Sequence, residues 1–417
     1  MGAIDPEAAA AGRRSGHLPI GFIVGVAACS LVALGALAAV AAGGALPAGI
    51  GLTLALLPIP ALLAGVLYLD RLEPEPRSSL VFVFLWGAGS AALIGLIGTA
   101  AGSHLITTPT LQPGGFAAAS TAAVIGVAAL EETLMGAVLA GLLLLRPQEI
   151  DGVSDGVVYG SMVGLGFALI ENIYYYAQAA HYGFSGVATT FVLRGVVSPV
   201  CQALFASLIG AGVAYAATTS RRRGLWAIGV GWVAAVTLHA LWNRSLGAGV
   251  ARIAVTYAIL AGVLVILLAT VIMDRRRIIA LIRRYLPEYE PTGVVTASDI
   301  SMLSSLHARR MARQWARLHC GLGGLQDMSE FQLSATELAL LHRRSDRALV
   351  DADAFAVRRD GLLAGMRSAT STLLSRLNAP MRPPWAAYGQ SCFQPNRRGR
   401  VARPDQPPAQ PGADRLD

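Results

Sequence analysis

The sequence predicts an all-α membrane protein that crosses the bilayer about eight times. Of its 417 residues, 54% are hydrophobic and only 14% are charged. The apolar residues are concentrated before residue 274, in stretches long enough to form transmembrane helices. About 20 apolar residues in a helix cross the roughly 30 Å of hydrocarbon in a bilayer. Helices are the expected element because each satisfies its own backbone hydrogen bonds in lipid.

Eight stretches meet this requirement. Their boundaries are given to within a few residues. The predicted spans are 20–43, 50–69, 79–103, 117–145, 156–180, 187–217, 224–247 and 250–273.

Arginines fall mainly on alternate connections between these spans. The positive-inside rule therefore predicts a multi-pass protein of the cell membrane with both termini in the cytoplasm. Because the arginines flank spans, the net charge of +8 reflects topology, and we expect the lipid bilayer rather than a nucleic acid as the partner of this charge. The alternating arginines are Arg13, Arg14, Arg71, Arg77, Arg146, Arg221, Arg222, Arg223, Arg275, Arg276 and Arg277, with Arg244 and Arg252 on the opposite side.

The composition divides the chain into four segments. A cytoplasmic N-terminal segment, 1–19, precedes a transmembrane domain at 20–274. A cytoplasmic helical region is predicted at 275–377, beginning with a basic helix suited to an anionic membrane surface and broken near Gly321. The Pro- and Arg-rich tail, 378–417, has too few apolar residues to fold and is predicted to be disordered.

Four ionisable residues lie inside the apolar spans: Glu131, Glu132, Glu171 and His239. A charged side chain at the bilayer centre costs on the order of 3 kcal/mol, so such residues usually face protein or a wet cavity and serve a function. With a rise of about 1.5 Å per residue, each lies roughly 20 Å from the end of its own span. The sequence therefore predicts one polar chamber near the middle of the membrane.

Uncharged donors and a counter-charge accompany these residues. Asn172 follows Glu171, and Asn243 lies one helical turn after His239. Arg194 and Gln202 come from a neighbouring span. Small residues at Gly160, Gly164 and Gly166 allow neighbouring helices to approach closely.

Three kinds of chemistry suit such a chamber. A buried carboxylate can take a proton from water while imidazole and amide groups support hydrolysis of a peptide bond. Glu131, Glu171 and His239 could instead hold a zinc ion. Proton-coupled transport uses the same residue types. Because adjacent glutamates point about 100° apart on a helix, we expect one of Glu131 and Glu132 to be central and the other to pair with Arg194.

A series of motifs resembles the PrsW family of intramembrane proteases, which is related to the CAAX prenyl protease superfamily. The resemblance covers about residues 65–247. Its parts are the acidic-proline segment 70–76, the pair Glu131 and Glu132, the run 155–160, Gly166-Phe167 leading to Glu171-Asn172, Arg194, the run 199–204, and Leu238-His239 followed by Asn243.

The resemblance implies cleavage of transmembrane or membrane-associated protein substrates, such as an anti-sigma factor. It assigns Glu131 or Glu132 to water activation and Glu171 and His239 to the same site, and it leaves metallo and glutamic mechanisms open. Met135 and Gln202 stand where the family usually has lysine and histidine. Gln202 can donate a hydrogen bond but is a poor metal ligand. A catalytically inactive protein that only binds membrane segments is therefore the other alternative.

Overall fold

The computed structural model describes residues 20–70, 75–100, 121–146, 149–150, 152–246, 249–348 and 350–377. Every regular element in these ranges is helical, which confirms the predicted fold class. Three predicted segments lie wholly or partly outside the described residues: the N-terminal segment 1–19, the tail 378–417 that was predicted to be disordered, and residues 71–74 of the acidic-proline segment.

Ten helices account for the membrane-spanning part of the chain that is described. Seven candidate spans are long and apolar enough to cross a bilayer within the described ranges. Helix α4, of 24 residues, corresponds to the remaining predicted span, 79–103. The helices are α1 (Ile20–Ala42), α2 (Ala45–Leu56), α3 (Ile59–Leu69), α4 (Arg77–Ala100), α5 (Thr121–Leu145), α6 (Val153–Ala180), α7 (Gly183–Arg194), α8 (Val197–Ala217), α9 (Arg221–Ser245) and α10 (Val250–Tyr285).

Two predicted spans are each built from two helices. The second span breaks between α2 and α3, and the sixth breaks between α7 and α8. Proline explains both breaks because it has no N–H and its ring collides with the carbonyl four residues earlier. Pro60 acts in this way on Leu56, and Pro199 acts on Gly195, next to the end of α7 at Arg194.

Helix α6 is the centre of the membrane domain. Its candidate span is the most deeply buried of the seven, and it packs against α2, α4 and α8. Glycine makes these contacts close, as predicted: a Cβ atom at Gly164 would collide with the backbone of α8 at Gln202, and one at Gly166 would collide with the backbone of α4 at Phe84. Helices α6 and α8 therefore pack almost backbone to backbone.

The helix expected to end near residue 274 continues through the arginines that follow. Helix α10 extends without a break to Tyr285 and is followed by a 3₁₀ helix at Leu286–Thr292. The sequence between Arg275 and Tyr285 contains neither glycine nor proline, so nothing local ends the helix there. The predicted boundary at 274/275 is thus not marked by a helix end.

The described residues divide into two compact units. One is formed by those up to Leu281 together with Thr336–Ala364, and the other by Ile282–Ala335 together with residues 365–377. The second unit includes α11 (Ala297–Leu303), capped by Thr296, whose side chain accepts a hydrogen bond from the backbone N–H of Asp299. Helix α12 (Leu306–Asp346) is interrupted at Gly321, where φ is +67°. The chain then forms α13 (Ala352–Arg376).

Candidate active site

Helices α5 and α9 bring two glutamates to one histidine. Nδ1 of His239 lies 2.8 Å from Oε1 of Glu132, and Nε2 of His239 lies 3.3 Å from Oε2 of Glu131. All three side chains are buried. The imidazole ring is thus held between two carboxylates inside the membrane domain.

This arrangement corrects the expectation that only one of the two glutamates would be central. Glu131 and Glu132 diverge around α5, but the two nitrogens of the His239 ring also point in different directions, so each nitrogen meets a different carboxylate. The expected pairing of the second glutamate with Arg194 is therefore wrong. Arg194 instead pairs with Glu171, with Nη2 2.8 Å from Oε1.

The short contact to Glu132 orients the imidazole of His239. In the tautomer with its proton on Nδ1, His239 donates a hydrogen bond to Glu132. Nε2 is then an acceptor directed towards Glu131. Phe205 of α8 stacks on the imidazole, with ring centroids 4.9 Å apart and the planes inclined by 22°. The ring is therefore oriented by a carboxylate at one edge and by an aromatic face.

Glu171 of α6 belongs to a second polar group. Besides its ion pair with Arg194, it accepts a hydrogen bond from Nε2 of Gln202 at 3.1 Å. Arg194 also donates to Oδ1 of Asn172 and to Ser198. Three helices, α6, α7 and α8, thus hold one buried guanidinium among a carboxylate and neutral acceptors.

Two further contacts of this group were not predicted from the sequence. Ser198 lies four residues after Arg194, across the break between α7 and α8, so helical spacing does not predict its hydrogen bond to the guanidinium. The guanidinium also lies over the ring of Tyr175, 3.7 Å from its centroid. Nothing in the sequence singles out that tyrosine from its neighbours in the run Tyr174-Tyr175-Tyr176.

The two polar groups act on one another. Glu131 interacts electrostatically with both Glu171 and Arg194, in addition to His239 and Glu132. Asn243 is buried on the same helix as His239, one turn further along, and Met135 is buried one turn after Glu131. The side chains predicted to share a chamber therefore occupy one region of the membrane domain.

Several buried polar atoms in this region have no hydrogen-bond partner among the described residues. Such atoms are rare in folded proteins, because an unsatisfied buried group costs roughly 1–3 kcal/mol. Their presence in both polar groups indicates places where water or a substrate amide completes the hydrogen bonding. The atoms are Oε2 of Glu131, Oε2 of Glu132, Nε2 of His239, Nδ2 of Asn172 and Oε1 of Gln202.

Glu131, Glu171 and His239 were considered above as zinc ligands. A catalytic zinc ion takes three protein ligands and keeps one position open. Nε2 of His239 and Oε2 of Glu131 converge, whereas both oxygens of Glu171 are engaged by Arg194 and Gln202. In the described part of the chain, no group of three or more His, Cys, Asp or Glu side chains could hold a metal ion. The arrangement supplies two zinc donors and does not fit a three-ligand centre.

Comparison with known proteins agrees with the motif series. A family model described as PrsW family intramembrane metalloprotease matches residues 75–272. Protease PrsW of Geobacillus kaustophilus (strain HTA426) is 31% identical over 170 residues, which are 40% of this chain and 68% of that protein. No solved structure matches the chain. The identity and coverage of this relative, together with the match over 75–272, show that the chain belongs to the PrsW family of intramembrane proteases.

Proposed function

We propose that the chain hydrolyses peptide bonds of membrane-protein substrates with Glu131 as the general base, supported by His239 and Glu132. The observation that carries this proposal is the placement of His239 between the two glutamates, with Nε2 and Oε2 of Glu131 lacking other partners. A general base must lie within reach of the proton that it removes. A water molecule that contacts both Nε2 of His239 and Oε2 of Glu131 would lie within reach of the Glu131 carboxylate.

In the first step, the carboxylate of Glu131 takes a proton from water as the water oxygen attacks the carbonyl carbon of the scissile bond. Glu132 accepts a hydrogen bond from Nδ1–H of His239, which keeps the proton on Nδ1 and leaves Nε2 available as an acceptor. Glu132 is a positioning residue in this scheme, because it acts through the imidazole.

In the second step, the tetrahedral oxyanion collapses and the C–N bond breaks. The proton gained by Glu131 passes to the leaving nitrogen, directly or by way of Nε2 of His239. Nδ2 of Asn172, which has no partner among the described side chains, is suited to donate a hydrogen bond to the oxyanion. Oε1 of Gln202 is suited to accept one from a substrate N–H.

The ion pair between Arg194 and Glu171 supplies a fixed electric field next to this chemistry. Arg194 is almost completely buried, so its charge acts through a medium of low dielectric constant. Glu171 carries the opposite charge 2.8 Å from Nη2 of Arg194, so Glu131 lies beside an ion pair rather than beside a single cation. Arg194 and Glu171 therefore act as positioning residues that join α6 and α7 next to the site, without contacting the reacting bond.

The substrates that fit this site are proteins whose cleaved segment enters the membrane. Glu131 and His239 lie within candidate spans rather than on connections between spans. A peptide bond must therefore reach the interior of the membrane domain to be cut. Single-span and membrane-associated proteins, including anti-sigma factors, are the proposed class.

The test uses the full chain in proteoliposomes with a panel of tagged single-span membrane proteins. We expect new termini, located by mass spectrometry, with wild type and with Glu288→Gln, an exposed control for the same chemical change. Glu131→Gln and His239→Ala should give no cleavage above background. Equal cleavage by Glu131→Gln would refute the assigned base.

Two further outcomes would refute proteolysis itself. Substrate capture by wild type and Glu131→Gln alike, without a cut product, would identify a binding protein. Proton flux across the liposome membrane that depends on Glu131, again without cleavage, would identify a transporter.

A further inference from the structure

An open apolar groove lies on the outer surface of the membrane domain between α8 and α9. Its volume is about 430 Å³, within the size range of small-molecule sites. Small residues on both helices form its floor and larger apolar side chains form its walls. Its principal lining residues are Leu208, Gly212, Tyr215, Trp226, Val230 and Ala234.

The groove runs along the helices from an aromatic end. Trp226 and Tyr215 stand near the connection between α8 and α9, and Ala234 lies about 12 Å deeper along α9. Tyrosine and tryptophan are enriched at the boundary between hydrocarbon and head groups. The groove therefore follows the direction of an acyl chain from the boundary into the bilayer.

Three arginines lie near the end of the groove that contains Trp226 and Tyr215. Arg221, Arg222 and Arg223 form the first turn of α9 and are all exposed. No carboxylate in the described part of the chain forms an ion pair with any of the three. Their charge is therefore available to an external anion.

The backbone adds to this preference for an anion. The first N–H groups of a helix have no intrahelical partner, and the helix dipole places partial positive charge there. Ser220, at the N-cap position of α9, makes no side-chain hydrogen bond to them. An anionic group at this end would meet both guanidinium groups and free N–H donors.

We propose that this groove binds one acyl chain of an anionic phospholipid whose head group is held by Arg221, Arg222 and Arg223. The apolar lining accounts for the chain, and the three arginines account for the charge of the head group. Basic pockets between transmembrane helices are known sites of anionic head groups. The proposal does not depend on the proteolytic mechanism, because the groove residues are distinct from those that hold His239.

The charge at its end favours this occupant over a transmembrane helix. A helix of a substrate or of a second copy would use the small residues of the groove for packing, but it would have no need of three unpaired arginines. A zwitterionic lipid would fill the apolar part equally well and gain less from the arginines.

The experiment is a native mass spectrometry titration of the purified full chain with dioleoyl phosphatidylglycerol and, separately, dioleoyl phosphatidylcholine. We expect wild type to bind one phosphatidylglycerol at least about tenfold more tightly than phosphatidylcholine, because arginines near the membrane surface attract anionic lipids. Replacing all three arginines by glutamine should abolish that difference.

A second variant pair tests the groove itself. Ala234→Phe fills the groove and should weaken phosphatidylglycerol binding, whereas Val233→Phe, an exposed position next to it that does not line the groove, should not. Thermal unfolding of each variant checks that the fold is intact.

Three results would overturn the proposal. The first is equal affinity of wild type for the two lipids. The second is equal weakening of phosphatidylglycerol binding by Ala234→Phe and Val233→Phe. The third is unchanged lipid binding in Ala234→Phe together with loss of a dimer or of a captured substrate helix, which would assign the groove to that protein partner.

Discussion

The imidazole of His239 and the carboxylate of Glu132 meet at 2.8 Å although 107 residues separate them in the chain. Both side chains are fully buried. A carboxylate that accepts a hydrogen bond from Nδ1–H fixes the tautomer and the orientation of the ring, and it raises the basicity of the other ring nitrogen. In the proposed mechanism this contact gives the two adjacent glutamates different roles, since Glu132 orients the histidine and Glu131 activates water.

Glu132 and Glu131 should therefore differ in their response to the same substitution. Glu132→Gln keeps an acceptor for Nδ1 but removes the charge, so we expect kcat/KM to fall by about 10–100-fold. Glu131→Gln removes the base and should cost about 10²–10⁴-fold. Steady-state cleavage of one substrate measures both. An equal loss in the two variants would contradict the division of roles.

Removal of Arg194 should destabilise the fold as well as impair activity. Arg194→Met leaves the carboxylate of Glu171 buried without its cation, and we expect a loss of about 3–5 kcal/mol in the free energy of unfolding. The double variant Arg194→Met with Glu171→Met should lose less than Arg194→Met alone. Denaturant unfolding in detergent micelles measures the difference. A double variant less stable than the single one would show that the ion pair is not what stabilises this region.

Asp70 should make the stability of the membrane domain depend on pH. It lies one residue beyond α3, outside the candidate spans, and accepts the backbone N–H of Glu75. Burial raises the pKa of Asp70 from 3.8 to about 7, against the opposing effects of that hydrogen bond and of Arg275. The folded state therefore binds a proton that the unfolded chain has lost, and stability falls as pH rises from about 4 to 7.

The measurement for Asp70 is the melting temperature between pH 4 and 8 for wild type and Asp70→Asn. The variant should lose less stability across this range, because asparagine does not titrate. Parallel curves for the two proteins would rule out Asp70 as the titrating group.

Close packing of α6 and α8 should be sensitive to a single methyl group. Gly164→Ala places a Cβ against the backbone of α8 at Gln202, which should lower the melting temperature and disturb the hydrogen bond from Gln202 to Glu171. Gly141 of α5 has no atom within 4 Å of an added Cβ. Gly141→Ala should be neutral or stabilising, since alanine favours helix by about 1 kcal/mol over glycine. Equal effects of the two substitutions would contradict this account.

The zinc content of the purified protein tests whether Glu131, Glu171 and His239 bind a metal ion. With both oxygens of Glu171 engaged, we expect elemental analysis to find zinc well below one ion per chain. A stoichiometric ion that is lost in Glu171→Gln would show that Glu171 leaves Arg194 to bind metal. Loss of the ion in Glu131→Gln and His239→Ala as well would identify all three ligands.

Much of the fold follows from local features of the sequence. Runs of apolar residues predict the spans because the length of a helix in lipid is set by the thickness of the bilayer. The breaks at Pro60 and Pro199 were not predicted, although proline chemistry explains both. A proline within an apolar run changes the mean hydropathy little, so a prediction based on hydropathy does not detect the helix break.

The pairing of charges could not be predicted in the same way. Depth along each helix suggested that Glu131, Glu132 and His239 share a layer, which agrees with their contacts. The pairing of one glutamate with Arg194 was expected from the angle of about 100° between adjacent helical residues, and it is wrong. Which side chains face each other depends on the rotation of each helix about its axis. That rotation is set by packing against helices far away in the sequence, such as α6 against α8.

The sequence by itself determined that the chain is a helical membrane protein of the PrsW family with ionisable residues inside its spans. Burial of charge in hydrocarbon is so costly that these residues were identifiable without a structure. Only the tertiary structure decided that His239 lies between Glu131 and Glu132 and that Glu171 holds Arg194. Those contacts arise between helices that meet only in the folded protein, where the packing of each helix decides which buried groups its side chains face.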